Sequence, residues 1–449
     1  MKRLKLHHWI LLAMVFAIAI GLPLNLLDPT YLVVDDQGST RTVHLSQIAA
    51  DFGRGLGDIF LRLLTMVVVP LVVSSLITGV TSMGGPRQLG RFGARALLYY
   101  AATSILAITA GILMVNLIDP GGDVDLSILR DHAQGARISP EIAQPGSMHQ
   151  ILWNQLISMI PSNPIEAASS GDMLAIIFFS IMLGVFISAS RDGATSSGEQ
   201  LARFFAALFD VMMKMTLFLV HLAPAGVFGF MLYAAAGKGL AAFEALGWYV
   251  LTVFLALAVH ACITLPLLLR FLAGRAPMAF AKAMMPALLT AFSTASSSGT
   301  LPLTISCAEQ RAGISNRVCS FVLPLGATVN MDGTGLYEVV AVLFIAQVSG
   351  IDLSVAQQVV VALTALLVSI GAAGIPHAGM VMMVVVLQAV GLDVSLVGLI
   401  LAVDRVLDML RTSVNVWSDS TAAAFVAHLD KDSASRKAGL SSRVVTAEE

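Results

Sequence analysis

Residues 404–420 read Asp404-Arg405-Val406-Leu407-Asp408-Met409-Leu410-Arg411-Thr412-Ser413-Val414-Asn415-Val416-Trp417-Ser418-Asp419-Ser420, inside an apolar segment, 394–428. At 100° per residue, Asp404, Asp408, Arg411, Asn415 and Asp419 fall within an arc of about 80°, with Thr412 at its edge. The opposite face is Leu, Val and Ala. A carboxylate at mid-bilayer depth costs at least about 2.5 kcal/mol unless it is paired or ion-bound. A purely structural network needs equal counter-charge, and here three Asp face Arg411 and, from the adjacent turn, Arg405. Asp332, on another segment, enlarges the negative excess. The deficit predicts a site completed by bound cations and a substrate ammonium.

Two neighbouring regions extend this reading. Region 278–309 holds Ser293-Thr294-Ala295-Ser296-Ser297-Ser298-Gly299-Thr300-Leu301-Pro302, and region 355–392 holds Ser369-Ile370-Gly371-Ala372-Ala373-Gly374-Ile375-Pro376-His377-Ala378-Gly379. Each has two apolar arms around a Ser/Gly/Pro centre, and neither arm approaches the 20 or so residues that a span requires. A helical hairpin that enters and leaves by one face fits both. Lys282 and Arg311 bracket the first on the inside, and no Lys or Arg lies between Arg317 and Arg405, so the second can be entered from outside. Opposed re-entrant hairpins point to a binding site between their tips. The span 316–348 is broken by Asn330-Met331-Asp332-Gly333-Thr334. Unwinding there offers carbonyls, an amide and a carboxylate, an oxygen-only set that suits a hard cation such as Na⁺.

Composition agrees. The chain has 449 residues, 57% hydrophobic and 12% charged, with mean hydropathy +0.84. Soluble domains carry roughly 25% charged residues, so a soluble globular protein is excluded. A net charge of −2 argues against nucleic acid. Cys262, Cys307 and Cys319 are odd in number and lack ligand-type spacing, so neither a disulfide framework nor a zinc site is expected. Spans are predicted at Trp9–Leu27 (a retained helix rather than a cleaved leader), 58–83, 95–118, 171–190, 200–234, 244–270, 316–348 and 394–428. Lys and Arg alternate between loops so that both termini are cytoplasmic. The tail from Lys431 is polar and expected to be disordered.

These motifs resemble the dicarboxylate/amino acid:cation symporter family, the glutamate transporter family, over about residues 10–428. They are SSSGTLP (296–302), LGATVNMDGTGLYE (325–338), AAGIPHAG (372–379) and DRVLDMLRTSVNVWSDS (404–420), with YYAATS (99–104) matching the family's third helix. The resemblance implies an all-α polytopic membrane protein with eight transmembrane helices and two re-entrant hairpins in inverted repeats. It implies a homotrimer in the cell (inner or plasma) membrane and transport by an elevator movement. Residues 1–94 (helices 1–2) and 119–235 (helices 4–5) would form a scaffold. Residues 95–118 (helix 3) and 236–430 (helix 6, hairpin 1, helix 7, hairpin 2, helix 8) would form the transport domain, and 431–449 the cytoplasmic tail.

It also implies residue roles. Arg411 would grip a side-chain carboxylate, which suits a bidentate guanidinium. Asp408 and Thr412 would take the amino group, and Asn415 and the Ser297 backbone the α-carboxylate. Ser296, Ser298, Thr334, Ile375 and Gly379 would complete the pocket. Cation sites would be Tyr100, Thr103, Ser104, Asn330 and Asp332; then Gly326, Asn330, Asn415 and Asp419; then Thr328, Met331, Ser369, Ile370 and Ala372. Glu338, in the LYE triplet, is the proton-coupling candidate: animal members have Glu there and couple H⁺ and counter-moved K⁺, while sodium-only archaeal members have Gln. The family's binding-site Arg falls at Ala295 or at the position of Met409; this chain has neither and offers Arg405 instead, which leaves the pairing of Asp408 open. The implied function is Na⁺-coupled symport of L-aspartate or L-glutamate, with H⁺ and K⁺ coupling open and no cofactor beyond transported ions. The alternative is a C4-dicarboxylate or neutral amino acid:cation symporter of the same fold. Asp408 argues against the first, having no ammonium to pair with, and Arg411 against the second. An intramembrane enzyme is disfavoured, because no G-x-S-x-G occurs and the hairpins hold one histidine, His377.

Overall fold

A computed structural model describes residues 6–34, 40–82, 86–122, 159–170, 172–191, 195–239, 241–370, 378–392 and 397–445, with isolated positions between them. The chain is mostly helical. In order, α1 is Leu6–Leu27, α2 Leu45–Ser82, α3 Pro86–Ile118, α4 Pro164–Ser170, α5 Met173–Ala189, α6 Ser197–Val220 and α7 Ala223–Lys238. Then α8 (Ala241–Val259) runs through a π turn, His260–Thr264, into α9 (Leu265–Leu272). The first hairpin is α10 (Pro277–Thr294) and α11 (Ser297–Ser306), the latter extended by a second π turn, Cys307–Arg311. Then come α12 (Asn316–Val329), α13 (Asp332–Val348), α14 (Val355–Ile370), α15 (Ala378–Val390) and α16 (Val397–Val445).

Among the described residues, five helices are long and apolar enough to cross a membrane, and α6 with α7 supplies a sixth candidate as a pair bent by 49°. That bend differs from the single span expected over 200–234. Pro224 in the first turn of α7 has no N–H to donate, so the chain restarts a helix there instead of continuing one. The all-α expectation also needs one correction. Thr30–Val34 and Thr40–His44 pair antiparallel, Thr30 opposite His44 and Val34 opposite Thr40. Both stretches are rich in β-branched residues, which favour extended backbone. Asp28 anchors this hairpin through Ser46 Oγ at 2.7 Å and His44 Nδ1 at 2.8 Å. The Ser46 hydroxyl, and then His44, hold its carboxyl below the ordinary carboxylate range. α16 is the longest described helix and runs to Val445.

The helices pack in two groups. In the first, α7 lies along both α1 and α2, and α2 also meets α5 and α6. In the second, α3 lies along α13, α10 and α12 pack on α16, and α14 and α15 pack on each other and on α13. At the centre, every residue of α13 except Gln347 is buried.

Candidate substrate and cation site

The expected break in 316–348 spans only two residues. α12 ends at Val329, Asn330 (φ −94°, ψ 83°) and Met331 (φ −110°, ψ 53°) leave helical geometry, and α13 starts at Asp332. All three side chains are buried at the centre of the second group. Asp332 Oδ1 accepts from Ser104 Oγ at 2.6 Å and from Thr103 Oγ1 at 3.3 Å. Thr103 Oγ1 also lies 3.5 Å from Asn330 Oδ1. The Tyr100 hydroxyl donates to the Val322 carbonyl at 2.7 Å. Hydroxyl, amide and carboxylate oxygens thus converge from α3 and the break, the donor set that a desolvated hard cation needs. Four of the five residues expected for the first cation site meet directly, and Tyr100 borders them.

A second cluster adjoins it. Asn330 Nδ2 donates to Asp419 Oδ1 at 2.9 Å and to Ser418 Oγ at 3.0 Å. Gly326 completes the contact, because a Cβ there would meet Asp419 Oδ1 and the Tyr100 hydroxyl. Asn415 is engaged elsewhere: its Oδ1 accepts the Gly333 N–H at 2.7 Å, and its Nδ2 donates to Thr334 Oγ1 at 3.1 Å. In the third expected set, the Met331 sulfur lies 3.3 Å from Asn415 Nδ2, Thr328 donates to the Leu325 carbonyl at 3.0 Å, and Ser369 donates to the Leu366 carbonyl at 2.9 Å. Ile370 closes α14. Ala372 and Ile375 lie outside the described residues.

The substrate-binding candidates on α16 form a buried charged group. Arg411 Nε and Nη2 donate to Asp408 Oδ1 at 3.0 and 2.9 Å. Its Nη1 lies 3.8 Å from Asp404 Oδ1, and its guanidinium sits 4.6 Å from the centre of the Tyr337 ring. Arg405 reaches Asp408 Oδ2 at 3.8 Å, and Thr412 Oγ1 reaches Asp408 Oδ1 at 3.5 Å. The second hairpin approaches closely, since a Cβ at Gly379 would collide with the guanidinium. A larger residue there would require the guanidinium to shift. At the other tip, Ala295 takes a left-handed turn (φ 51°) and Ser296 caps α11 by accepting the Gly299 N–H at 3.0 Å. Ser297 is buried and Ser298 exposed. Both arms of this hairpin pack on α16. Glu338 is fully buried one turn beyond Thr334, and neither carboxyl oxygen has a hydrogen-bond partner among the described residues.

Four participants escaped the sequence reading. Ser418 donates to Asp332 Oδ2 at 2.5 Å, and His260 Nε2 lies 3.2 Å from the same oxygen. Tyr337 donates to Asp404 Oδ1 at 2.9 Å, and Trp417 Nε1 donates to the Ala261 carbonyl at 3.1 Å. For His260 the available signal was an ionisable residue inside the apolar span 244–270, which marks a functional candidate.

Apolar helices surrounding a buried oxygen cluster, which abuts a carboxylate–guanidinium group, define a cation-coupled membrane transporter. Residues 6–429 match the sodium:dicarboxylate symporter family. Similar relatives include mouse excitatory amino acid transporter 3, 35% identical over 483 residues, covering 96% of this chain and 87% of the relative. An excitatory amino acid transporter of Caenorhabditis elegans is 36% identical over 416 residues, covering 84% and 81%. Rat excitatory amino acid transporter 4 is 35% identical over 441 residues, covering 84% and 77%. The chain belongs to the sodium:dicarboxylate symporter family.

Proposed function

We propose that this protein is a secondary active symporter that takes up acidic amino acids, L-aspartate or L-glutamate, with Na⁺. One observation carries the reading. Gly333 stands between Asp332 and Thr334, its N–H bonds Asn415 Oδ1, and a Cβ on it would meet the Arg411 carbonyl oxygen at 2.6 Å. The oxygen cluster and the charged group therefore share one stretch of backbone. An ion that fixes Asp332 and the break also fixes Thr334 and Asn415, the condition for reciprocal coupling between cation and substrate. Arg411 supplies the cation that a side-chain carboxylate needs, and Asp408, beside it, the anion for an ammonium. Glu338, buried behind Thr334, is the group that would carry H⁺ if its protonation changes between the loaded and empty states.

The same reading assigns eight spans and two re-entrant hairpins, with both termini cytoplasmic and a homotrimeric assembly. The two packing groups support a division into a scaffold (α1, α2, α5, α6 and α7) and a moving unit that carries the site. The deciding experiment measures uptake of labelled L-aspartate, L-glutamate, succinate and L-serine into proteoliposomes, with Na⁺, H⁺ and K⁺ gradients imposed separately. Na⁺-driven uptake of the two acidic amino acids is expected. Uptake indifferent to Na⁺, or succinate taken up in preference to aspartate, overturns the reading.

A further inference from the structure

The helix from Ala241 to Leu272 carries one irregularity, the π turn at His260–Thr264, where the Leu265 N–H bonds back to the His260 carbonyl. π turns within α-helices occur frequently at functional sites. This one is clamped from α16. Trp417 donates its indole N–H to the Ala261 carbonyl at 3.1 Å, and its ring centre lies 5.7 Å from that of Phe280 in the first hairpin, tilted by 44°. The turn aims His260, which has no exposed surface, at Asp332 Oδ2, 3.2 Å from Nε2.

The two oxygens of Asp332 have different partners. Oδ1 faces Ser104 and Thr103, the oxygens that converge with Asn330. Oδ2 is held by His260 and by Ser418, the residue after Trp417. Serine and threonine hydroxyls can rotate to present a lone pair to a cation. The imidazole cannot do so through Nε2 while that nitrogen donates to a carboxylate. Its Nδ1 is buried without a partner among the described residues, and in the tautomer that protonates Nε2 it carries only a lone pair. His260 is therefore placed to restrain the carboxylate, not to ligate an ion.

We infer that His260 is a positioning residue for the cation site: it holds Asp332 Oδ2 so that Oδ1 is presented to the ion, and the Trp417-clamped π turn sets its reach. The inference rests on the reading that Asp332 ligates Na⁺. Partners that orient a metal-binding group typically matter by 10–100-fold in metal affinity.

The test is calorimetric titration of L-aspartate into the purified full-length transporter across a range of Na⁺ concentrations. His260→Met keeps the bulk and removes the donor; His260→Gln restores an N–H at similar reach. In His260→Met the Na⁺ concentration for half-maximal binding rises by about 10-fold or more, while aspartate affinity at saturating Na⁺ stays close to wild type. His260→Gln recovers most of that loss, which a packing role alone does not allow. Trp417→Phe keeps the ring, releases the π turn and shifts the Na⁺ requirement in the same direction by less. It carries the test alone if His260→Met does not assemble. A Na⁺-dependent wild type with unchanged His260→Met, a Gln variant no better than Met, or unchanged Trp417→Phe overturns the inference alone. A wild type whose binding ignores Na⁺ overturns the Na⁺ reading and the inference with it.

Discussion

Where α2 crosses α7, a Cβ at Gly53 would lie 2.6 Å from the Gly229 carbonyl oxygen, and one at Gly229 would lie 2.5 Å from the Gly53 carbonyl oxygen. Where α13 meets α16, the contact is made by Gly333 on Asn415, Asn415 on Thr334, Tyr337 on Asp404 and Ser418 on Asp332. Both crossings bring helices together in a chain made to sit in lipid, where apolar side chains gain little by touching each other instead of lipid tails. The first solves this by removing side chains, so that backbones touch. Gly57 and Gly226 extend the same seam, each meeting a phenylalanine ring, Phe230 or Phe60. The second solves it with polar groups that must find one another. A seam of glycines fixes distance and carries no chemistry. A polar network fixes geometry atom by atom, and its unbalanced charge invites a ligand.

The hardest blow to the polar crossing is Arg411→Thr. It removes the cation at the carboxylate end and leaves Asp408 with Arg405 at 3.8 Å. An uncompensated buried charge costs about 3–5 kcal/mol, so aspartate binding should weaken by roughly 10²–10⁴-fold. Serine or alanine binding is the expected gain. Binding isotherms on the gel-filtered variant decide it, and unchanged aspartate affinity removes Arg411 from the substrate site.

Asp332→Asn and Asp419→Asn come next. Each keeps the shape and removes one negative charge from a cation cluster, so substrate affinity should fall through weaker Na⁺ binding, by about 1–3 kcal/mol of coupling. The signature is a rightward shift of substrate Kd against Na⁺ concentration. If both variants keep the wild-type curve, these carboxylates hold the crossing together and do nothing more.

The glycine seam should answer differently. Gly53→Leu or Gly229→Leu must push the α2 and α7 backbones apart, an overpacking cost of about 1–3 kcal/mol. Thermal stability should drop, while the Na⁺ and aspartate affinities of the folded fraction stay at wild-type values. A Gly53→Leu variant with altered Na⁺ dependence would show that the two crossings are energetically linked.

The same contrast explains what could be read from the amino-acid sequence. Asp404, Asp408, Arg411, Asn415 and Asp419 stood out because polar residues on one stripe of an apolar helix carry a signal in their own spacing. Asn330 and Asp332 stood out because a polar Asn-Met-Asp-Gly-Thr run interrupts an apolar span, and the break came within three residues of its expected extent. His260 did not stand out as a partner of Asp332, because 72 residues separate them and no periodicity relates two helices. The glycine seam was silent too: a Gly in an apolar run reads the same whether it faces lipid or another backbone. The bend between α6 and α7 was hidden by composition, since hydropathy averages over a two-residue break at His221 and Leu222.

The smallest expected effect concerns Glu338, which belongs to the polar region by position and departs from it by bonding. Every other acid at the crossing meets a donor or a cation, and both oxygens of Glu338 are without partners among the described residues. A buried carboxyl group with no hydrogen-bond partner among the described residues is a candidate to carry a proton with the cargo. Glu338→Gln fixes the uncharged shape permanently. Binding of Na⁺ and aspartate should therefore stay near wild type, and Na⁺-dependent exchange should persist. What should change is the pH profile, with uptake becoming flat where the wild type varies by several-fold between about pH 5.5 and 8. The comparison is initial uptake rate against external pH, with and without internal K⁺, in wild type and variant. If wild-type uptake ignores both ions, Glu338 is a structural acid and the transporter runs on Na⁺ alone. If the wild type responds and Gln abolishes the response while exchange survives, the unpaired acid is the proton carrier.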